Sequence, residues 1–473
     1  MVFMTKVFKK VINSWQQYAW EALAVAACLL FIIAGSLVAI NRYWQYEVFY
    51  YDFGIYDQAI RHLAKFEAPI IEHYTVGGKI IWADHFHPGI ILLAPLYWIT
   101  TRSEGLLILQ ALAVGISGYI IFRIAYIMLK QYLPSLAVLV AYLLFVGLQN
   151  AVITDFHEVA ILTIPLSLAY WAILTNRKKW FVIFLILCLS FKETLFLLGI
   201  GLSFFVYMYR PTWRRLAVGI AIGSAAYGLF AIKVLIPYLS GGIYQYLEKY
   251  KYSTILKDLF WPMLKLETVL RLFWSFLFLP VVYLPTLPII ILNLVPRFLS
   301  GAPSRWDLGM HYNAEIAPTL AITTILVLVL MQQRYAKRVI TLISFLLIGN
   351  AIFLHAYMFR GPLAMAYNPA LYSHSKDFSF LDQLIAQAPA GKTVMTQNNL
   401  ATRFTDRTVY LLRYNYEDYR PEIILMDVRE GQNANNFYGL QDPKKLLTLI
   451  QKDKNYQQIY STDDQFAFAR IEN

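Results

Sequence analysis

Apolar and polar positions along the chain alternate in long blocks. Apolar runs lie at 22–40, 88–99, 105–129, 133–149, 159–174, 180–191, 194–208, 215–237, 268–282, 284–299, 315–331 and 338–355. A helix of roughly 20 apolar residues spans hydrocarbon, so these blocks predict a helical protein solvated by lipid, although several runs are too short to cross alone. Basic residues cluster between the runs: Arg123 with Lys130, then Arg177, Lys178 and Lys179, then Arg210, Arg214 and Arg215, then Arg334, Lys337 and Arg338. Cytoplasmic loops carry the excess of Lys and Arg. All four clusters and the N-terminus fall on that side only if the run at 88–99 does not cross and packs near the outer face instead. That arrangement gives about eleven crossings. It leaves four exterior segments, 42–104, 151–158, 238–267 and 300–314, with the C-terminus outside. Neither a repeat of 20–50 residues nor a low-complexity tract is visible.

Beyond Ser373 the pattern changes to that of a soluble domain rich in Asp, Asn, Gln and Lys. Helices are predicted at 379–388 and 442–453, and strands at 392–397, 408–412, 422–427, 457–461 and 465–471. The expected architecture is an all-α polytopic membrane module over residues 1–372, with an interfacial amphipathic helix in its first exterior loop, followed by a small extracytoplasmic α/β domain over 373–473. That domain shows neither a phosphate-binding glycine loop nor a nucleophile elbow, so it reads as accessory.

Composition agrees with lipid solvation: 58% of residues are hydrophobic and 15% charged, with a mean hydropathy of +0.50. The net charge of +12 follows from the topogenic clusters and gives no reason to expect nucleic acid. Cys28 and Cys188 both lie in apolar runs, so a disulfide framework or a thiolate zinc site is unsupported. Lys6, Lys9 and Lys10 precede a first run long enough to span and followed by no convincing cleavage site, so it reads as an uncleaved helix of a multi-pass protein of the cell (inner) membrane.

Residues able to do chemistry gather in the exterior segments. In the sequence from Tyr50 to Leu63, Ile55, Ala59 and Leu63 share one helical face while Asp57, Arg61 and Lys65 share another. Asp52 reads there as an N-cap or as a reactive carboxylate, and Asp57 with Arg61 as an i,i+4 ion pair. Asp84-His85-Phe86-His87-Pro88 sets two imidazoles two residues apart, a spacing open to a divalent metal, a phosphate or plain solvation. Asp155-Phe156-His157-Glu158 is denser in ligands and equally suits a polar turn that caps the next helix. Lys192 and Glu193 interrupt an apolar stretch, where charge is costly. They predict two half-spans meeting in a hairpin, with the pair either functional or an ion pair that fixes the bend.

Taken in order, Tyr51-Asp52-Phe53-Gly54-Ile55-Tyr56-Asp57-Gln58, His85-Phe86-His87-Pro88 with Leu93-Ala94-Pro95-Leu96-Tyr97, Asp155-Phe156-His157-Glu158, Phe191-Lys192-Glu193 and His311-Tyr312 resemble successive blocks of the predicted membrane proteins called domain of unknown function 2079. The resemblance spans nearly the whole chain. That family in turn resembles the C-type (GT-C) glycosyltransferase fold of protein mannosyltransferases, aminoarabinose transferases and oligosaccharyltransferases. It implies a catalytic acid in the first exterior loop, a sugar taken from a polyprenyl-phosphate donor, and inversion at the anomeric centre. A second acidic motif in the next exterior loop corresponds to Asp155 and Glu158. This chain departs from the better-known members in having His-Phe-His-Pro where an acid and a lysine often precede the proline, and Asp52-Phe53 where Asp-Glu is common.

On this reading Asp52, with Asp57 as its rival, is the general base toward an acceptor hydroxyl, and Lys192, Arg305, His311 and His85 meet the donor phosphate. His87, Asp155, His157 and Glu158 are the expected ligands of a divalent metal ion. The expected partners are the lipid-linked sugar, a lipid, glycan or protein acceptor, and membrane lipids. A lipid-borne donor also accounts for the lack of a nucleotide-binding loop. Two other classes fit the hydropathy pattern: a lipid or lipid-linked-sugar flippase, which should show inverted repeats and midplane binding residues, and a non-catalytic assembly factor.

Overall fold

The computed structural model describes residues 2–244, 246, 255–429, 440 and 442–471, without the side chains of 2–16, 255 and 256. The side chains of Lys6, Lys9 and Lys10, and part of the exterior segment at 238–267, lie outside the described residues. Among these residues, five helices are long and apolar enough to cross a membrane: Gln17–Trp44, Glu104–Leu129, Pro211–Ser240, His311–Arg334 and Lys337–Met358. Tyr132–Leu143 and Val146–Ile153 form a sixth candidate, bent by 49°. Pro88–Ile99, Glu158–Leu174, Glu193–Tyr209 and Leu284–Leu299 are apolar but shorter. The run at 268–282, expected to cross as one helix, does not form one. It is helical over Leu264–Trp274 and then breaks, because Leu277 and Phe278 adopt φ of 53° and 56°, a conformation that no right-handed helix accepts.

The helices surround two central ones. In the most apolar window of each, 78% of His311–Arg334 and 67% of Glu104–Leu129 is buried, against 28% of Pro211–Ser240 and Lys337–Met358. The first two are therefore core, and the last two present an apolar face outward, as lipid requires. Buried hydroxyls tie the core together. Ser117 Oγ lies 2.9 Å from the Tyr142 hydroxyl and 2.8 Å from Ser167 Oγ, and Tyr170 bonds Thr319 at 2.7 Å. Glu193–Tyr209 and Pro211–Ser240 approach closely, since a methyl at Gly228 would overlap the Phe196 ring and one at Gly199 the Ser224 side chain. Small residues are what let helices meet in lipid, where apolar side chains gain nothing by leaving solvent.

The basic clusters collect at one end of the bundle. Arg210 donates to the carbonyls of Ile173 and Leu174 at 2.8 and 2.6 Å, Gln332 to that of Leu129 at 3.3 Å, and Arg123 lies 3.8 Å from Glu21. The helices Lys178–Leu189 and Phe196–Tyr209 thus form the expected hairpin, with Lys192 and Glu193 at the opposite end. Pro88–Ile99 is tied to that opposite end, by Gly89 N to Ser190 O at 2.7 Å and Trp98 Nε1 to Ala64 O at 2.8 Å.

The polar C-terminal sequence forms a five-stranded sheet in the order Val409–Leu411, Val394–Thr396, Ile423–Asp427, Gln465–Arg470, Tyr456–Thr462. The first three strands are parallel, with Val394 opposite Val409 and Ile423, and the last two run antiparallel, with Ile424 opposite Phe468. Helix Pro443–Lys452 begins at Asp442, whose carboxylate accepts from the amides of Lys444 and Lys445 at 2.9 and 3.2 Å, and buries Leu446, Leu447 and Ile450. These elements fall within a few residues of the positions read from the sequence.

Candidate active site

The first helix ends at Trp44, and at Phe49 the chain enters a wide turn over Tyr50–Gly54, closed by Gly54 N to Phe49 O at 3.4 Å. A side chain at position 54 would overlap the Tyr50 ring, so glycine is required there. The turn carries Asp52 and runs straight into helix Ile55–Ala64. Side chains from two other segments hold its first amides: Phe49 N donates to Asp155 Oδ1 at 3.3 Å and Tyr51 N to Asn398 Oδ1 at 2.9 Å. The N-cap positions are Phe49 and Gly54, neither of which caps with its own side chain, so Asp52 does not serve as the N-cap. Its carboxylate is 43% exposed, with Oδ1 3.8 Å from His157 Nε2. Burial works against its charge, but the nearby His157 and Lys192 outweigh it and hold the carboxyl below the ordinary range.

Asp57 sits in a different environment. It is fully buried, and its Oδ2 receives Arg61 Nε at 3.2 Å, Ser103 Oγ at 2.8 Å and the Thr405 hydroxyl. On the polar face Asp57 is buried while Lys65 stays exposed, and the Asp57–Arg61 pair is present as expected. Burial raises Asp57 above the ordinary carboxylate range, with Arg61 and the hydroxyls pulling the other way.

The second exterior motif is clamped by Gln110 of helix Glu104–Leu129, whose side chain donates to Val152 O and Asp155 O, both at 2.8 Å, and accepts from His157 N at 2.9 Å. Asp155 takes a left-handed φ of 43°, which Asp tolerates better than most residues. Burial and the neighbouring Asp52 push it up to about 7. His157 stacks on His311 at 3.4 Å between centroids. At the hairpin tip Lys192 and Glu193 pair with other segments and not with each other. Lys192 Nζ lies 3.5 Å from Glu158, while Glu193 takes His85 Nδ1 at 2.8 Å, Phe86 N at 3.0 Å and the Tyr244 hydroxyl at 2.7 Å. His85 stacks on Tyr246 at 4.6 Å, and the Tyr246 hydroxyl donates to Asp84 at 3.0 Å. His87 is packed against Tyr56 at 5.3 Å, and burial lowers it to about 4, leaving a neutral imidazole at pH 7.

These groups border a cavity of about 820 Å³, within the usual range for a ligand site. Asp52, His85, His87, His157, Lys192, Arg305 and His311 line it, whereas Asp57, Asp155 and Glu158 stand behind the wall. Phe196, Leu197, Ile289, Leu292 and Val295 make one side apolar. The Arg305 guanidinium lies 5.6 and 5.8 Å from the ring centroids of Tyr246 and Tyr312. The residues expected to bind a metal are thus split: His87 and His157 reach the cavity, Asp155 accepts from a backbone amide and Glu158 faces Lys192. Among the described residues no group of three or more His, Cys, Asp or Glu is placed to hold a metal ion, so the donor set does not fit one.

Sequence reasoning missed Asn293, Arg297 and Glu315, which also line the cavity. Arg297 and Glu315 are charges beside apolar runs, the signal that singled out Lys192, and could have been found the same way. Arg297 donates to Arg305 O and Asp307 O at 2.9 Å each and to Asn293 and Asn313 at 3.1 Å each, and so orders the segment that carries Arg305. Asn293 in turn donates to Glu315 at 2.7 Å. Asn398 and Gln110 carried no sequence signal, since neither type nor spacing marks a residue that binds a distant backbone.

The site thus combines the Asp52 carboxylate, the cations Lys192, Arg297 and Arg305, and an apolar wall. Residues 42–466 match the family described as Predicted membrane protein (DUF2079). No curated protein sequence matches the chain. Among solved structures it is similar to ArnT from Cupriavidus metallidurans bound to undecaprenyl phosphate, with 12% identity, a TM-score of 0.52, and coverage of 96% of this chain and 98% of that one. The apo state of ArnT gives a TM-score of 0.50 at the same identity and coverage. At this identity the likeness concerns the fold alone.

Proposed function

The chain belongs to the DUF2079 family of predicted membrane proteins, and from that premise and the cavity we propose that it is a membrane glycosyltransferase taking its sugar from a polyprenyl-phosphate donor. The observation that carries the reading is one cavity bordered by Asp52, by Lys192 and Arg305, and by an apolar wall. A polyprenyl phosphate presents a matching set: an anionic head and a hydrocarbon chain. ArnT, whose fold this chain shares, was solved bound to undecaprenyl phosphate.

In this reading Asp52 takes the proton from the acceptor hydroxyl. The acceptor oxygen attacks the anomeric carbon from the face opposite the phosphate. The bond from that carbon to the phosphate oxygen breaks, and Lys192 and Arg305 stabilise the charge left on the phosphate. One displacement inverts the anomeric centre. Asp57 is fully buried and does not line the cavity, which supports Asp52 over Asp57 as the base. The basic clusters then face the cytoplasm, and the cavity and the C-terminal sheet lie outside. Crossings beyond the six candidates require the shorter helices to serve as spans beside the long ones.

The test is transfer by purified protein in nanodiscs, followed by mass spectrometry of lipid-linked sugars extracted from cells with and without the gene. Asp52→Asn should lower the rate by about 100-fold to 10,000-fold while leaving the fold intact. Unchanged lipid-linked sugars and surface glycans in the deleted strain would overturn the reading.

A further inference from the structure

The C-terminal domain, read from the sequence as accessory, reaches into the turn that carries Asp52. Asn398 follows strand Val394–Thr396 and opens the short helix Asn398–Ala401. It is 4% exposed, and its Oδ1 accepts from Tyr51 N at 2.9 Å, one residue before Asp52. The first amides of a helical turn have no partner within it, so the Tyr51 N–H takes one from elsewhere, and in this fold it takes it from a residue 347 positions away. On the other side of the turn Asp155 holds the Phe49 amide. The same domain secures the helix that follows: Gln58 Nε2 donates to Arg407 O at 3.2 Å, and the Thr405 hydroxyl donates to Asp57. Arg403, over the Tyr43 ring at 3.7 Å and donating to Tyr43 O at 2.7 Å, holds the domain to the end of the first helix.

We infer that Asn398 is a positioning residue of the transfer reaction, through which the C-terminal domain fixes the wide turn and hence the approach of the Asp52 carboxylate to the cavity. The inference rests on the reading of Asp52 as the base. Asn398 does not line the cavity, so it acts on geometry and not on substrate binding. A turn released at Tyr51 keeps Asp52 in place for only part of the time, and misplacement of a reacting group by about 1 Å can cost on the order of 100-fold in rate.

The experiment uses the full chain in nanodiscs and two measurements. In Asn398→Ala, hydrogen exchange at the Tyr51 amide should quicken at least about tenfold, with exchange in strand Ile423–Asp427 unchanged, which establishes that the domain is folded. The kcat for transfer from an undecaprenyl-phosphate sugar should fall by about 10-fold to 100-fold at a KM within twofold of the parent. Asn398→Asp keeps the acceptor oxygen and should restore slow exchange and most of kcat. Unchanged exchange at Tyr51 overturns the inference, and so does faster exchange with unaltered kcat. If Asp52→Asn leaves transfer intact, the assignment of the base fails by itself, while the exchange measurement still decides whether Asn398 holds the turn.

Discussion

Two aspartates five residues apart lie in opposite surroundings, and each predicts a different phenotype. Asp52 opens on the cavity, so its loss should affect rate and leave folding intact. Asp57 is buried among Arg61, Ser103 and Thr405. Removing one partner of a buried ion pair strands the other and costs about 3–5 kcal/mol. Asp57→Ala should therefore lower Tm and yield, while the molecules that still fold retain most of kcat, as read by thermal unfolding and transfer measured per folded protein. Asp155 gives a pH effect of fixed sign. Its folded value near 7 lies above the ordinary 3.8, so the folded state binds the proton more tightly than the unfolded one. The stabilisation is complete below about pH 4 and disappears as pH rises through 7, by at most about 4 kcal/mol. Asp155→Asn keeps an acceptor for the Phe49 amide and should flatten the fall in thermal stability across that window.

Among the elements, the hairpin that ends at Lys192 and Glu193 depends on close helix approach at Gly199 and Gly228. Gly228→Leu drives a side chain into the Phe196 ring and should destabilise by about 1–3 kcal/mol. Gly219→Leu, on the same long helix with open space around it, should be close to neutral. Thermal scans of the two variants in one detergent separate packing from helix propensity, since both gain the same residue. The tip itself works by exchange of partners: Glu193 binds the segment at His85 and Lys192 turns to Glu158. Reading the two as one ion pair was reasonable from adjacency. However, neighbours in sequence at a helix start point in different directions, and each finds the nearest counter-charge in space.

At the scale of the whole molecule, the polar site and the basic clusters occupy opposite ends of the bundle, from which the positive-inside rule predicts an orientation. An alkaline phosphatase fusion after Ser373 should be active and a cytoplasmic reporter there inactive, with the reverse for fusions between Arg177 and Lys179. The opposite result would put the cavity on the cytoplasmic face and remove the proposed donor geometry. The C-terminal sheet lies against the first exterior loop through Asn398, Thr405, Arg407 and Arg413, the last donating to His73 O at 2.8 Å. The loop at 42–104 and the C-terminal sheet are therefore joined by hydrogen bonds at several points.

Local pattern was enough for everything that depends on neighbours in the chain. Lipid solvation follows from the length of the apolar runs, the hairpin from the charges at Lys192 and Glu193, and the Asp57–Arg61 pair from helical spacing. The order of helices and strands after Ser373 follows from alternation and turn residues. The break at Leu277 and Phe278 escaped because both are ordinary apolar residues, and hydropathy averages do not register a change of backbone conformation. Tertiary structure alone decided which aspartate meets the cavity, which base each lysine or histidine faces, and that Asn398 supports the turn at Asp52. Those outcomes are contacts between segments from 34 to 347 residues apart. Their formation depends on how the helices pack, because a buried amide or carboxylate takes whichever partner the packing brings within about 3 Å, and no local spacing encodes that choice.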